Sequence, residues 1–306
     1  MLTVLCGGVG AARLLAGIVG VVDPSSVTAI VNVADDVEVH GLRVSPDLDT
    51  ITYTLGGLNN EVTGWGMADE SWRVMDELEV LGAPTWFRLG DRDLATHLYR
   101  TGRLAHGTPL SVVTAELASL RGIGIALLPV TDDPVATIVT TRAGERLEFQ
   151  EYFVARRHDV DVDVIEFVGA GAARPAPGVL DAIASGSRVV IAPSNPLVSI
   201  DPILAVPGVR EAVAARRAEV LAVSPIVAGA ALKGPADRLL RDLGHEPSAL
   251  GVARHYHELV GTFVLDERDA SLRGEVEALG MRCVVTDTVM ADRDRAAALA
   301  KVLVDA

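Results

Sequence analysis

Lysine is nearly absent from this chain of 306 residues: only Lys233 and Lys301 carry it, and arginine supplies the remaining positive charge. Arginine suits two-point phosphate contacts, but a GC-rich genome gives the same bias, and that explanation is preferred. Basic residues are in deficit, 27 against 41 acidic ones, for a formal net charge of −14. With no basic excess to release phosphate counterions, the balance argues against a general nucleic-acid binder. Cysteine is limited to Cys6 and Cys283, both in apolar runs. That leaves no disulfide framework and no zinc spacing, and both read as small buried hydrophobes. No apolar run approaches a membrane span, and the N-terminus lacks the basic segment of a signal peptide. The expected location is the cytoplasm. No repeat or low-complexity tract occurs.

What is present begins at once. Leu2 to Cys6 is a short apolar run leading directly into Gly7-Gly8-Val9-Gly10-Ala11-Ala12-Arg13. This reads as a buried strand, a glycine turn and a helix start. Such a helix aims free backbone N–H groups and the positive end of its dipole at the turn, which suits a phosphate. Gly8, Val9, Gly10 and Arg13 are therefore candidate phosphate-binding residues. A tight strand-to-helix turn without a ligand is the plainer reading.

Further along, short β-branched runs at 27–33, 162–168, 188–192, 219–223, 262–265 and 281–285 alternate with amphipathic helical patterns. The alternation predicts an α/β protein with a doubly wound, mostly parallel sheet. The stretch 47–156 breaks the rhythm, being helix-rich to about 120 and then offering strands at 125–129, 135–140 and 145–149. It reads as a helix-rich cap insertion, which leaves 1–46 and 157–306 as the nucleotide-binding core.

In open α/β sheets ligands bind beyond the carboxyl ends of the strands, which selects the loops that matter. Asn32–Asp36 ends in Asp35 and Asp36, candidates for a divalent metal, a base or ribose contacts. In Ser45-Pro46-Asp47-Leu48-Asp49, the helix dipole accounts for Asp47. Asp49 is left as the candidate for magnesium-dependent phosphoryl transfer, because magnesium takes one or two carboxylates plus substrate oxygens. In Arg88-Leu89-Gly90-Asp91-Arg92-Asp93, Asp91 reads as a helix cap and Arg88 or Arg92 as a substrate clamp. His97 falls on the same helix face as Asp93. The stiff Pro193-Ser194-Asn195-Pro196 loop and the Ser224–Pro235 loop with Lys233 each offer fixed polar groups after a strand. Gly169–Arg174 and Asp287–Met290 complete the set, and the aromatic–basic run Tyr152–Arg157 reads either as substrate-facing or, the commoner case, as a helix surface.

Taken together, the strings CGGVGAARLL, NVADDVEVHGLRVSPDLDTITYTLGG, WFRLGDRDLATHLYRTGRL, LLPVTDDPVATIV, SNPLVSIDPIL and SPIVAGAALKGPA resemble the 2-phospho-L-lactate transferase family of coenzyme F-420 biosynthesis along essentially the whole chain. The resemblance implies a Rossmann-like sheet with a helical cap, working as a homodimer. It implies transfer of a 2-phospholactyl or enolpyruvyl phosphate group from a guanosine diphosphate adduct to the ribityl hydroxyl of the deazaflavin Fo, with release of GMP and with magnesium as the metal. On this basis Asp49 is expected to be catalytic. Asp49, Arg88, Asp91 and His97 would meet the deazaflavin. Gly8, Val9, Gly10, Arg13, Ser194, Asn195 and Lys233 would hold the nucleotide, and Asp35, Asp36 and Asp49 the metal. Arg88 stands where the family often has lysine, keeping the charge but changing its geometry. Two rivals are a nucleotide-sugar-binding regulator with the same glycine opening and a nicotinamide-dependent oxidoreductase. Against the latter, Arg13 replaces the third small residue of the dinucleotide fingerprint.

Overall fold

A computed structural model describes residues 1–62 and 64–306. Seven strands form one parallel sheet: β1 (Leu2–Cys6), β2 (Val27–Val31), β5 (Ala126–Pro129), β9 (Arg188–Ile191), β10 (Val220–Val223), β13 (Thr262–Asp266) and β14 (Arg282–Thr286). Their spatial order is β14-β13-β10-β9-β1-β2-β5, and β11 (Ile226–Val227) pairs with β12 (Ala230–Ala231) apart from this sheet. β1, β2, β10 and β13 are buried along their whole length, as expected of parallel strands covered by helices on both faces. β1 pairs with β2 on one side and β9 on the other. The chain leaves β1 in one direction and returns to its other flank much later, so a crevice opens at the carboxyl ends of β1 and β9. Such switch points are where open α/β sheets take ligands.

The helix α1 (Gly8–Ile18) follows β1 directly and buries Ala11, Ala12, Leu14, Leu15 and Ile18 along one face, the 3.6-residue spacing of a core-facing helix. It lies tight against the last helix, Arg293–Asp305. A Cβ at Gly17 would come within 2.3 Å of the Ala296 carbonyl oxygen. Between β2 and β5 run the hairpin β3 (Val37–Val39) and β4 (Leu42–Val44), then α2 (Pro46–Leu55), α3 (Arg73–Val80), α4 (Asp91–Ala105) and α5 (Leu110–Leu120). The hairpin, α3 and α4 share a small core of their own around Val37, Val39, Val44, Met75, Leu89 and Leu94.

The fold class stands as the sequence predicts, but the expected cap boundaries do not coincide with the sheets. β5, placed by the sequence reading inside the cap, is the edge strand of the central sheet, paired with β2. Pro129 is tolerated there because an edge strand has one side free of ladder bonds. Conversely, β8 (Val162–Val168), expected in the central sheet, pairs antiparallel with β6 (Ala136–Thr141) in a separate sheet that includes β7 (Arg146–Glu148). Its sequence, Val-Asp-Val-Ile-Glu-Phe-Val, carries acids among the apolar residues, and most of the strand is exposed or half-buried. That is the mark of a one-sided antiparallel strand. The irregular stretch is thus two excursions, one on each side of β5.

Candidate active site

The switch-point crevice opens into a cavity of about 720 Å³. Its floor is the junction of the two loops that end β1 and β9. The Gly7 N–H donates to Ser194 Oγ at 3.2 Å, and that hydroxyl donates back to the Gly7 carbonyl at 2.8 Å. A Cβ at Gly10 would lie 2.6 Å from the Pro193 carbonyl oxygen, so glycine is what lets the two loops touch. Gly8, Val9, Gly10, Ser194, Asn195 and Lys233, the residues expected to hold the nucleotide, line the cavity. The Asn195 side chain accepts the Leu197 N–H through Oδ1 at 3.0 Å, while its buried Nδ2 has no partner among the described residues. A buried donor without an acceptor is costly, and a ligand in the cavity would satisfy it.

The acid at the centre of the cavity is Asp47. Its Oδ1 accepts the Gly8 N–H at 2.7 Å and its Oδ2 the Asn32 amide at 3.0 Å. Asp47 therefore sits on the amino end of α1, not only in the first turn of its own helix. A Cβ at Gly7 would meet its Oδ2 at 2.5 Å, which explains a glycine there. Asp35 lines the same cavity. Its Oδ1 is buried without a hydrogen-bond partner among the described residues. Burial first, and then the Asp47 charge, push its carboxyl well above the usual range. Burial lifts Asp47 to about 6, against the pull of Asn32 and Gly8. Two buried carboxylates repelling one another need a positive charge between them or a shared proton.

Several expected site residues stand elsewhere. Asp49 does not line the cavity. It is buried behind Asp47, accepts the Ser45 N–H at 3.3 Å and is gripped at both oxygens by Arg100. His97 is buried beside it, 3.0 Å from Asp93 through Nε2 and 3.2 Å from an Arg100 nitrogen through Nδ1. Arginine can only donate, so Nδ1 accepts at that contact. Asp36 accepts the Ser45 hydroxyl at 2.6 Å, and burial lifts its carboxyl to about 7. Asp91 lies outside the cavity and accepts the Arg73 and Val74 N–H groups of α3, at 3.3 and 3.2 Å. The amino end of α4 is instead capped by Glu70, which accepts the Arg92 and Asp93 N–H groups at 2.7 and 2.8 Å. Arg13 is not among the lining residues and donates to the Met290 carbonyl at 3.3 Å. Arg88 is at the cavity, stacked over Trp72 at 5.0 Å and 3.5 Å from Asp76.

Aromatic residues complete the lining. Trp65, Trp86 and Phe87 come from the segments flanking α3, and Phe149 and Phe153 from the π-helical turn Glu151–Ala155 and its approach. Of the run Tyr152–Arg157, Phe153 and Val154 face the cavity, and just ahead of it Gln150 donates to the Asp35 carbonyl at 3.2 Å. A second π-helical turn, Pro196–Ile200, supplies Val198 and Ser199. π-turns cluster at functional sites, but they leave little mark on hydrophobic periodicity. Gly169–Arg174 contributes nothing to the cavity, because β8 ends in the other sheet.

Can these residues hold a metal? Among the described residues no three His, Cys, Asp or Glu side chains converge. A pair of carboxylates, one with an unsatisfied buried oxygen, suits magnesium, which keeps waters and substrate phosphates as its other ligands. The fit is to Asp35 with Asp47, where the sequence reading expected Asp35 or Asp36 with Asp49.

Comparison with known proteins identifies the family. The family model for 2-phospho-L-lactate transferase CofD matches residues 2–303. A phosphoenolpyruvate transferase of Streptomyces griseus is 47% identical across 98% of this chain and 96% of its own. A 2-phospho-L-lactate transferase of Methanosarcina acetivorans is 39% identical across 98% and 97%. A crystal structure of a UPF0052 family protein from Bacillus halodurans superposes with a TM-score of 0.63 over 99% of this chain and 98% of that one, at 17% identity. That likeness speaks for the fold alone. With a family model spanning nearly every residue and two close relatives named for the same kind of transfer, this chain belongs to the 2-phospho-L-lactate transferase CofD family and is a transferase.

Proposed function

We propose that the protein moves a phospho-organic-acid unit, 2-phospholactyl or enolpyruvyl phosphate, from a guanosine diphosphate adduct to the terminal ribityl hydroxyl of the deazaflavin Fo, releasing GMP, as a step of coenzyme F-420 biosynthesis. The observation that carries the reading is one cavity that joins an anion-binding turn and two buried carboxylates to a cluster of aromatic rings. The relatives' names point to the two donors.

In this reading the Val9 and Gly10 N–H groups, which have no intrahelical partner, and Lys233 meet the diphosphate. Asn195 Nδ2 donates to the nucleotide. Trp65, Trp86, Phe149 and Phe153 take the planar heterocycle by stacking, and Arg88 adds its charge at that ring cluster. The hydroxyl oxygen attacks the phosphorus carrying the organic acid. A new P–O bond forms, the bridging P–O bond breaks, GMP leaves with the bridging oxygen, and the hydroxyl proton is taken up by the departing GMP phosphate. Asp35 and Asp47 would hold magnesium, which supplies neutralisation of the diphosphate charge when bound. Asp47 on the amino end of α1 would otherwise repel a phosphate at that turn, and this argues for a cation between them. The chain's own contribution is positioning and exclusion of water, since such transfers ask little covalent chemistry of the protein.

The test is incubation with Fo, magnesium and each donor in turn, with products read by mass spectrometry. One GMP per phosphodiester formed on Fo is the expected result. GMP without a deazaflavin product, or no turnover with either donor, contradicts it. The nucleotide-sugar regulator has less support, since the relatives at 39–47% identity bear transferase names.

A further inference from the structure

Behind the cavity lies a buried ionic cluster of Arg100, Asp49 and His97, none of which lines it. Arg100, on the third turn of α4, is 2% exposed and makes four contacts. One guanidinium nitrogen donates to Asp49 Oδ2 at 3.1 Å, to the Arg43 carbonyl at 3.2 Å and to His97 Nδ1 at 3.2 Å, and the other donates to Asp49 Oδ1. Arg43 precedes the Ser45-Pro46-Asp47 turn and Asp49 follows it. Arg100 thus grips the turn from both sides. The grip passes onward through two further bonds, Ser45 N–H to Asp49 Oδ2 and Ser45 Oγ to Asp36 Oδ2. Asp36 is the neighbour of Asp35. The two carboxylates at the cavity therefore hang from one clamp, anchored on a helix whose amino end lies in the aromatic-bearing excursion.

We propose that Arg100 is a positioning residue: through Asp49 and Ser45 it fixes the turns that aim Asp35 and Asp47 into the cavity. Arginine is required because only a planar fork reaches a carboxylate with two parallel bonds while a third N–H turns to the backbone. Lysine keeps the charge and loses the fork.

The inference rests on the transferase reading only for what the two carboxylates do, so the decisive readout is binding. Mn2+ in the presence of GDP is titrated into the unaltered protein, Arg100→Lys and Ser45→Ala, by electron paramagnetic resonance. In parallel, Fo is titrated by its own fluorescence. Outer-shell partners of a metal site are worth about 10–100-fold in affinity, and a loss of that order is expected for Arg100→Lys, with kcat falling alongside and the affinity for Fo unchanged. Should Arg100→Lys not fold, Ser45→Ala, which removes one hydroxyl, reads the same link and is expected to weaken Mn2+ in the same direction. Unchanged Mn2+ affinity in variants that only melt earlier overturns the proposal, as does loss of Fo affinity with Mn2+ affinity retained. No Mn2+ binding by the unaltered protein overturns it too. An unaltered protein that binds Mn2+ and GDP but never modifies Fo counts against the transferase reading alone, and the variants' Mn2+ affinities then still decide the clamp.

Discussion

A carboxylate such as Asp35, buried and with one oxygen lacking a hydrogen bond, costs the folded protein stability once it ionises. Its folded pKa lies above that of the unfolded chain, for which about 3.9 is usual. The folded state therefore binds the extra proton, and stability is greatest below that value and is lost as pH rises through the folded pKa. Asp35→Asn removes the loss. At about pH 8 and without divalent cations the variant is expected to melt higher than the unaltered protein, by roughly 2–4 °C for each kcal/mol relieved, with the gain vanishing near about pH 4. Calorimetry across that range checks it, and a gain independent of pH contradicts it. The same variant is expected to lose transfer activity, the usual trade between stability and function. At this scale the sequence was half legible. Gly8, Gly10, Ser194 and Asn195 reach the cavity because each follows closely on a strand end, and Lys233 reaches it from the longer loop after β10. Asp47 lines the cavity and Asp49 does not. Both lie in the first turn of α2, and nothing local shows that Asp47 reaches a different helix 39 positions back while Asp49 finds Arg100 51 positions ahead.

Among elements, the site depends on how closely loops and helices can approach. The turn after β1 meets the loop after β9 only because Gly10 has no side chain. Gly10→Ala would force its Cβ against the rigid Pro193 carbonyl, a clash of the kind that costs about 1–3 kcal/mol. Nucleotide binding is expected to weaken at least tenfold, a ratio of about 1.4 kcal/mol, and isothermal titration with GDP measures it. Unaltered affinity would mean that the two loops do not share the site. Gly17→Ala, equally crowded but against Ala296 of the last helix, is expected to lower the melting temperature and leave GDP affinity alone. Helix and strand positions were largely legible from periodicity. Sheet membership was not for β5 and β8: a four-residue edge strand with a proline and a half-exposed antiparallel strand both depart from the apolar run of a central parallel strand.

For the molecule as a whole, the sheet order places the cavity and the two excursions flanking β5 furnish it. The first brings Trp65, Trp86 and Arg88, and the second brings Phe149 and Phe153. This division of labour lets a conserved-looking sheet architecture, shared in shape with a protein only 17% identical, carry a particular transfer chemistry, since function resides in the site and not in the fold. No helix among the described residues is long and apolar enough to cross a membrane. If Asp35 and Asp47 together hold the cation on which the diphosphate is seated, anomalous diffraction from crystals grown with Mn2+ and GDP will show it there. A manganese peak bridging the carboxylates of Asp35 and Asp47, beside the phosphates and the amino end of α1, is the expected result. A peak coordinated by Asp49, or a diphosphate seated at the turn with no metal at Asp35 and Asp47, would contradict it.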